Sequence, residues 1–127
     1  MKLPDLARKL IDNKVFGTLS TVNPNGGPQS SVIWVKRDGD NVIFSTIEGR
    51  RKTKNMARDP RVSLMLFDPT DPYSYAEIRG TVTMNPEGGP ELIQELSFLY
   101  EDRPFHEHSP DNKRLVCTIT PDKVVTR

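Results

Sequence analysis

Apolar and polar residues alternate over much of this chain, the period-two signature of half-buried strands. Residues 15–22, Val-Phe-Gly-Thr-Leu-Ser-Thr-Val, are rich in β-branched and aromatic side chains and end at the turn cluster Asn23-Pro24-Asn25-Gly26-Gly27-Pro28. The pattern predicts a strand there and a second over 29–36, centred on Val32, Ile33, Trp34 and Val35. Arg37-Asp38-Gly39-Asp40 reads as a tight hairpin turn, from which 41–46 returns. Residues 62–67 read as a buried strand and 73–84 as a long one, with Gly80 marking a bulge or a close backbone approach. The stretch 113–125 reads as a final strand or strand pair.

Three segments change to helical spacing. In 5–13, Leu6, Ala7, Leu10 and Ile11 fall on one face after the start signal Pro4-Asp5. The basic segment 49–58 follows the strand at 41–46 and stops at Asp59-Pro60. In 91–100, Leu92, Ile93, Leu96 and Leu99 form an apolar side. Residues 68–72 and 101–112 read as loops. Strands joined by short turns make an antiparallel sheet, and six or so of this length close into a small barrel more readily than they lie flat. The expected class is mainly β with peripheral helices. No repeat, linker or low-complexity tract divides the chain, so 1–127 is expected to be a single domain.

Charge narrows the partners. The 127 residues carry 18 basic and 17 acidic side chains, a net charge of +1. That balance argues against a general nucleic-acid or membrane-surface binder. A chain this short buries only about two-thirds of its unfolded surface, so a deep internal cavity is costly and a site shared between two subunits is easier. Cys117 is the only cysteine, so no intrachain disulfide forms, and within an apolar strand it reads as an inert buried thiol. No signal-like or membrane-spanning apolar run is seen, and a reducing cytoplasm is the expected location.

The most informative segment is Gly49-Arg50-Arg51-Lys52-Thr53-Lys54-Asn55-Met56-Ala57-Arg58. A helix start already carries partial positive charge and unpaired N–H donors. Placing Arg50, Arg51 and Lys52 there is unfavourable unless an anion offsets them, so strand, turn and basic helix together point to a phosphate or polycarboxylate site. Arg50, Lys54 and Arg58, four residues apart, form a stripe that could serve a longer anion or simply be a solvated face.

Four stretches resemble the split β-barrel flavin and deazaflavin oxidoreductases of the pyridoxamine-phosphate-oxidase-like superfamily, in particular its coenzyme F420-binding branch. They are Gly17-Thr18-Leu19-Ser20-Thr21 with Gly27-Pro28-Gln29-Ser30-Ser31; Ser45-Thr46-Ile47-Glu48-Gly49-Arg50-Arg51-Lys52-Thr53-Lys54-Asn55; Asp59-Pro60-Arg61-Val62-Ser63; and Tyr73-Ser74-Tyr75-Ala76-Glu77-Ile78-Arg79-Gly80-Thr81-Val82. The resemblance implies a homodimer with cofactor sites at the subunit interface. It implies that Ser45, Thr46, Arg50, Lys52 and Asn55, with Arg51 beside them, surround the cofactor phosphate. Gln29, Ser31, Val32 and Ile33 would lie along the ring, and Tyr73, with Arg79 on the same strand, would reach it from the other subunit. The expected activity is hydride transfer from reduced F420 to an electron-poor small molecule such as an enone, a quinone or a tetrapyrrole. FMN is the alternative cofactor, and a non-catalytic carrier of F420 the alternative role. Oxidation of pyridoxamine phosphate itself is not expected, because no extra basic C-terminal segment is found for that substrate.

Other candidates carry less chemistry. His106-Glu107-His108 has neither the i, i+4 helical spacing nor the cysteines of a zinc motif, and no metal is expected. Trp34 reads as core or subunit interface, and the alternation of Tyr73 and Tyr75 is explained by packing as well as by a site. No Ser-His-Asp or Cys-His set is evident. That absence suits a reaction whose reactive atoms belong to a cofactor.

Overall fold

The computed structural model describes residues 1–127. Its strands bury alternate residues. In β1 (Gly17–Val22) Gly17, Leu19 and Thr21 face inward, and in β4 (Asn41–Ile47) Val42, Phe44 and Thr46 do. In β5 (Arg61–Asp68) the inward set is Val62, Leu64 and Leu66. The remaining strands are β2 (Pro28–Ile33), β3 (Lys36–Asp38), β6 (Asp71–Asn85) and β7 (Arg114–Thr126). All neighbours pair antiparallel, in the order β2-β1-β5-β6-β7-β4-β3. The seven-stranded sheet curls into the split barrel. Its core holds Leu19, Phe44, Leu64, Leu66, Ile78 and Ile119, together with Leu3, Ala7, Leu10 and Ile11 contributed by and just before α1 (Asp5–Asp12). Helix α2 (Arg51–Arg58) lies against β1, and α3 (Gly89–Glu101) against β7 and β4. None of the helices is long and apolar enough to cross a membrane.

Two expectations are corrected, and a third is narrowed to one of its alternatives. The strand expected over 29–36 is broken at Trp34-Val35. Ile33 pairs with Gly17 at one edge of the sheet, whereas Lys36 pairs with Ile43 at the other, so two residues must carry the chain across the gap. The loop expected at 68–72 is only the turn Pro69-Thr70, closed by Asp68 Oδ1, which accepts from Thr70 N–H (2.9 Å) and Thr70 Oγ1 (2.8 Å). The final segment is one continuous strand that pairs with β4 through its first half and with β6 along most of its length.

Gly80 marks a register shift between β6 and β7, and a Cβ there would sit 2.2 Å from the Thr120 carbonyl oxygen. The close approach read from the sequence is therefore steric. Gly89 is similar, because a Cβ would come within 2.0 Å of the Arg114 carbonyl oxygen, so the start of α3 presses on the start of β7. The gap crossed by Trp34-Val35 is held by the Tyr100 hydroxyl. It accepts from Val35 N–H (3.0 Å) and lies 2.8 Å from the Val15 carbonyl and 3.1 Å from that of Val35, to either of which it donates.

Two substitutions test this frame. Tyr100→Phe leaves the Val35 N–H without its partner and should cost about 1–3 kcal/mol. Gly80→Ala sets a methyl against backbone and should cost about 3 kcal/mol or more. Urea unfolding should show a lower midpoint at unchanged slope for both.

Candidate anion-binding site

Helix α2 is fixed by its middle. The fully buried Asn55 amide donates to Thr21 Oγ1 and to Asn23 Oδ1, each at 3.0 Å, and Thr21 Oγ1 donates to Gln29 Oε1. Thr53 Oγ1 donates to the Ile47 carbonyl (2.7 Å) and shares a bond with Thr46 Oγ1 (2.9 Å). Arg58 donates to the Val22 carbonyl. Gln29, Thr46 and Asn55 are thus engaged in anchoring the helix to β1 and β4. The N-terminus of α2 is left bare by contrast. Arg50 is the cap residue in extended conformation, no side chain caps the helix, and the first turn holds no acid.

Lys52 carries the unusual energetics. It is only 9% exposed, and its one hydrogen bond runs from Nζ to Ser31 Oγ at 3.3 Å. No carboxylate pairs with it. Burial pushes its pKa below the ordinary value, and the nearby charges of Arg50 and Arg114 push the same way. Burial raises the Cys117 thiol to about 12, so it stays protonated and unreactive at neutral pH.

Arg114, opposite Ile47 in the β4–β7 register, supplies a third cation. Its Nη1 reaches Ser45 Oγ at 3.4 Å, its Nε and Nη2 hold Glu107, and its guanidinium lies 4.8 Å over the Phe105 ring. Ser45, Arg50, Lys52 and Arg114 form the polar wall of a cavity of about 350 Å³. The facing wall is apolar, from Val32 and Ile33 through Phe16, Trp34 and Phe105 to Ile93 and Leu96, with His108 at the loop side. Trp34 stacks on Tyr100 (5.6 Å between centroids) and meets Phe105 edge-on (6.4 Å). Three cations against an aromatic wall suit a flat molecule with an anionic end.

The structure therefore brings Ser31, Val32, Ile33, Ser45, Arg50 and Lys52 together. Arg51 is exposed on the helix outside the cavity, Tyr73 is 75% exposed at the start of β6, and Arg79 lies elsewhere. A larger cleft of about 470 Å³ includes Arg79 and Arg61, but Glu77 and Asp59 already pair with them at 2.9 and 2.7 Å, so it offers no unpaired cation to an anionic ligand. Arg114, Phe105, His108 and Phe16 were not foreseen. A basic residue opening the strand after a polar loop was the available signal, but only strand register sets Arg114 beside Ser45.

A curled antiparallel sheet with cations at a helix start and an apolar strand beside them defines a split β-barrel of the flavin-binding kind. The chain belongs to the pyridoxamine 5'-phosphate oxidase family, which matches residues 3–127. It is similar to the solved structure of an F420 reductase, with 30% identity and a TM-score of 0.86 over 97% of this chain and 98% of that one. A pyridoxamine 5'-phosphate oxidase-like protein from Listeria innocua (21% identity, TM-score 0.72, 96% and 95% covered) shares the fold. So does a conserved hypothetical protein from Mycobacterium tuberculosis (20% identity, TM-score 0.78, 99% and 84% covered).

The buried ammonium makes a specific prediction. The folded chain holds the Lys52 proton less tightly than the unfolded chain, so its charge opposes folding at neutral pH. Its contribution to stability rises as pH climbs through the window just below 10.5. Lys52→Met should therefore raise stability at neutral pH by about 1 kcal/mol, a gain that fades as the medium approaches that window. Urea midpoints measured across pH check both statements.

Proposed function

We propose that this protein is an F420-dependent reductase acting on an electron-poor small molecule. The observation that carries the reading is Lys52, a buried cation with a hydroxyl but no carboxylate beside it, flanked by Arg50 and Arg114. A phosphate would supply the missing negative charge. The similarity to an F420 reductase supports the deazaflavin over FMN.

In this reading Arg50, Lys52 and Arg114 hold the phosphate, with Ser45 and Ser31 as neutral partners. Ser31, Val32 and Ile33 lie along the ring. When bound, the reduced cofactor supplies the hydride. The chain's own task is to orient and to exclude water, which an apolar wall of Trp34, Phe105 and Ile93 can do. Exposed Lys54 is free to meet a charged tail beyond the phosphate, whereas Arg58 is tied to the Val22 carbonyl. A homodimer would bring Tyr73 and Arg79 of one subunit to the site of the other. The exposure of Val32 (65%), Phe67 and Tyr73 supports such an interface. A free buried Cys117 suits a reducing cytoplasm.

Fluorescence titration of cofactor-free protein with F420 and with FMN, at low and moderate salt, tests the reading. F420 should bind more tightly and with salt sensitivity. The double substitution Arg50→Ala, Lys52→Ala should weaken it by about a hundredfold or more, given the usual strength of charge-assisted bonds. An unchanged affinity would remove the reading. Preference for FMN would move the protein to the flavin-dependent enzymes of the same fold. Tight F420 binding with no turnover of enones, quinones or tetrapyrroles would make it a carrier.

A further inference from the structure

The chain's ion pairs include only one that involves a cavity cation, Arg114 with Glu107. Arg114 is sheltered, with a side-chain exposure of 9%, whereas Glu107 lies at the surface with 27%. Glu107 is held by three bonds. Arg114 Nε donates to Oε1, Arg114 Nη2 to Oε2 (3.3 Å) and Asn112 Nδ2 to Oε2 (3.0 Å). Hydrogen bonding to Arg114 holds its carboxyl below the usual carboxylate range, and Asn112 and the nearby Arg50 charge add to this. Glu107 therefore remains a fixed negative charge at the edge of an otherwise cationic wall.

That charge matters for the kind of phosphate the wall accepts. A phosphate monoester carries close to two negative charges at neutral pH, and a phosphodiester carries one. Both gain from Arg50, Lys52 and Arg114, the doubly charged monoester more so, but Glu107 opposes each charge and takes back about twice as much from the monoester. Ligands that fill the same volume are thus separated by charge alone. We propose that Glu107 is a specificity-determining residue of this site, a charge filter beside Arg114 that cuts the advantage of a doubly charged phosphate monoester over a singly charged phosphodiester. The inference rests on the reading of the cavity as a phosphate site. It deepens that reading by giving a reason why FMN, a monoester, gains less relative to F420, a phosphodiester, than three cations alone would allow.

The test compares wild type, Glu107→Gln and Glu107→Asp. Removing one like charge at protein-surface dielectric should tighten FMN by about tenfold in Glu107→Gln, and F420 by no more than about threefold. Glu107→Asp retains the charge and should keep the wild-type ratio of the two affinities. Riboflavin, which has no phosphate, should bind all three proteins alike. Inorganic phosphate at about pH 8 and dimethyl phosphate, followed by amide shifts of Ser45 and Arg51, repeat the comparison without any ring.

Equal shifts for the doubly and singly charged ligands, or none, would overturn the filter even if F420 binds. A ratio of phosphate to dimethyl phosphate that responds to Glu107→Gln, in a protein that binds neither F420 nor FMN, would uphold the filter and overturn the cofactor reading. If no phosphate of either kind binds, both fall.

Discussion

The strands at the two edges of this sheet, β2 and β3, are separated in sequence by Trp34 and Val35 alone. A sheet whose opposite edges are tied by so short a link has to curl. The Tyr100 hydroxyl holds that crossing from α3, through Val35 and the Val15 carbonyl. Much else follows from it. Ile33 and Trp34 are drawn to the cavity, Trp34 stacks on the Tyr100 ring, and α3 is set where Ile93 and Leu96 complete the apolar wall. The link that closes the barrel therefore also forms one side of the site.

The other side is electrostatic and works against the fold. Three cations converge on one cavity, and the one carboxylate among their ion-pair partners sits on Arg114 at the margin. Lys52 faces only a serine hydroxyl. Natural cores rarely tolerate such a group without a partner. Under the proposed reading this is preorganisation: charges held apart from carboxylates are available to an incoming anion without rearrangement.

Local signals were legible where chemistry is local. Turn residues at 23–28 and 37–40, the Asp59-Pro60 stop and the glycine at position 80 each have a steric or hydrogen-bonding cause that a short window contains. The break at Trp34-Val35 was not legible, because four apolar residues in a row look the same whether they stay on one edge or cross to another. The prolines near 68–72 suggested a longer loop than exists. Pro72 sits within β6 at an exposed position, compatible with its missing N–H. The cations at 50 and 52 were visible as a cluster. Arg114 was not, because its place depends on the register of β7 against β4, a relation between segments more than sixty residues apart in sequence.

Asn55 gives this arrangement a further property. It anchors α2 to the β1–β2 hairpin at the helix's centre, away from the bare end that carries Arg50 and Lys52. The mount and the cationic head of the helix are thus different residues. The charge at the head can drift through mutation while the helix stays in place. A fold built in this way can exchange one anionic ligand for another over evolutionary time without passing through an unfolded intermediate sequence.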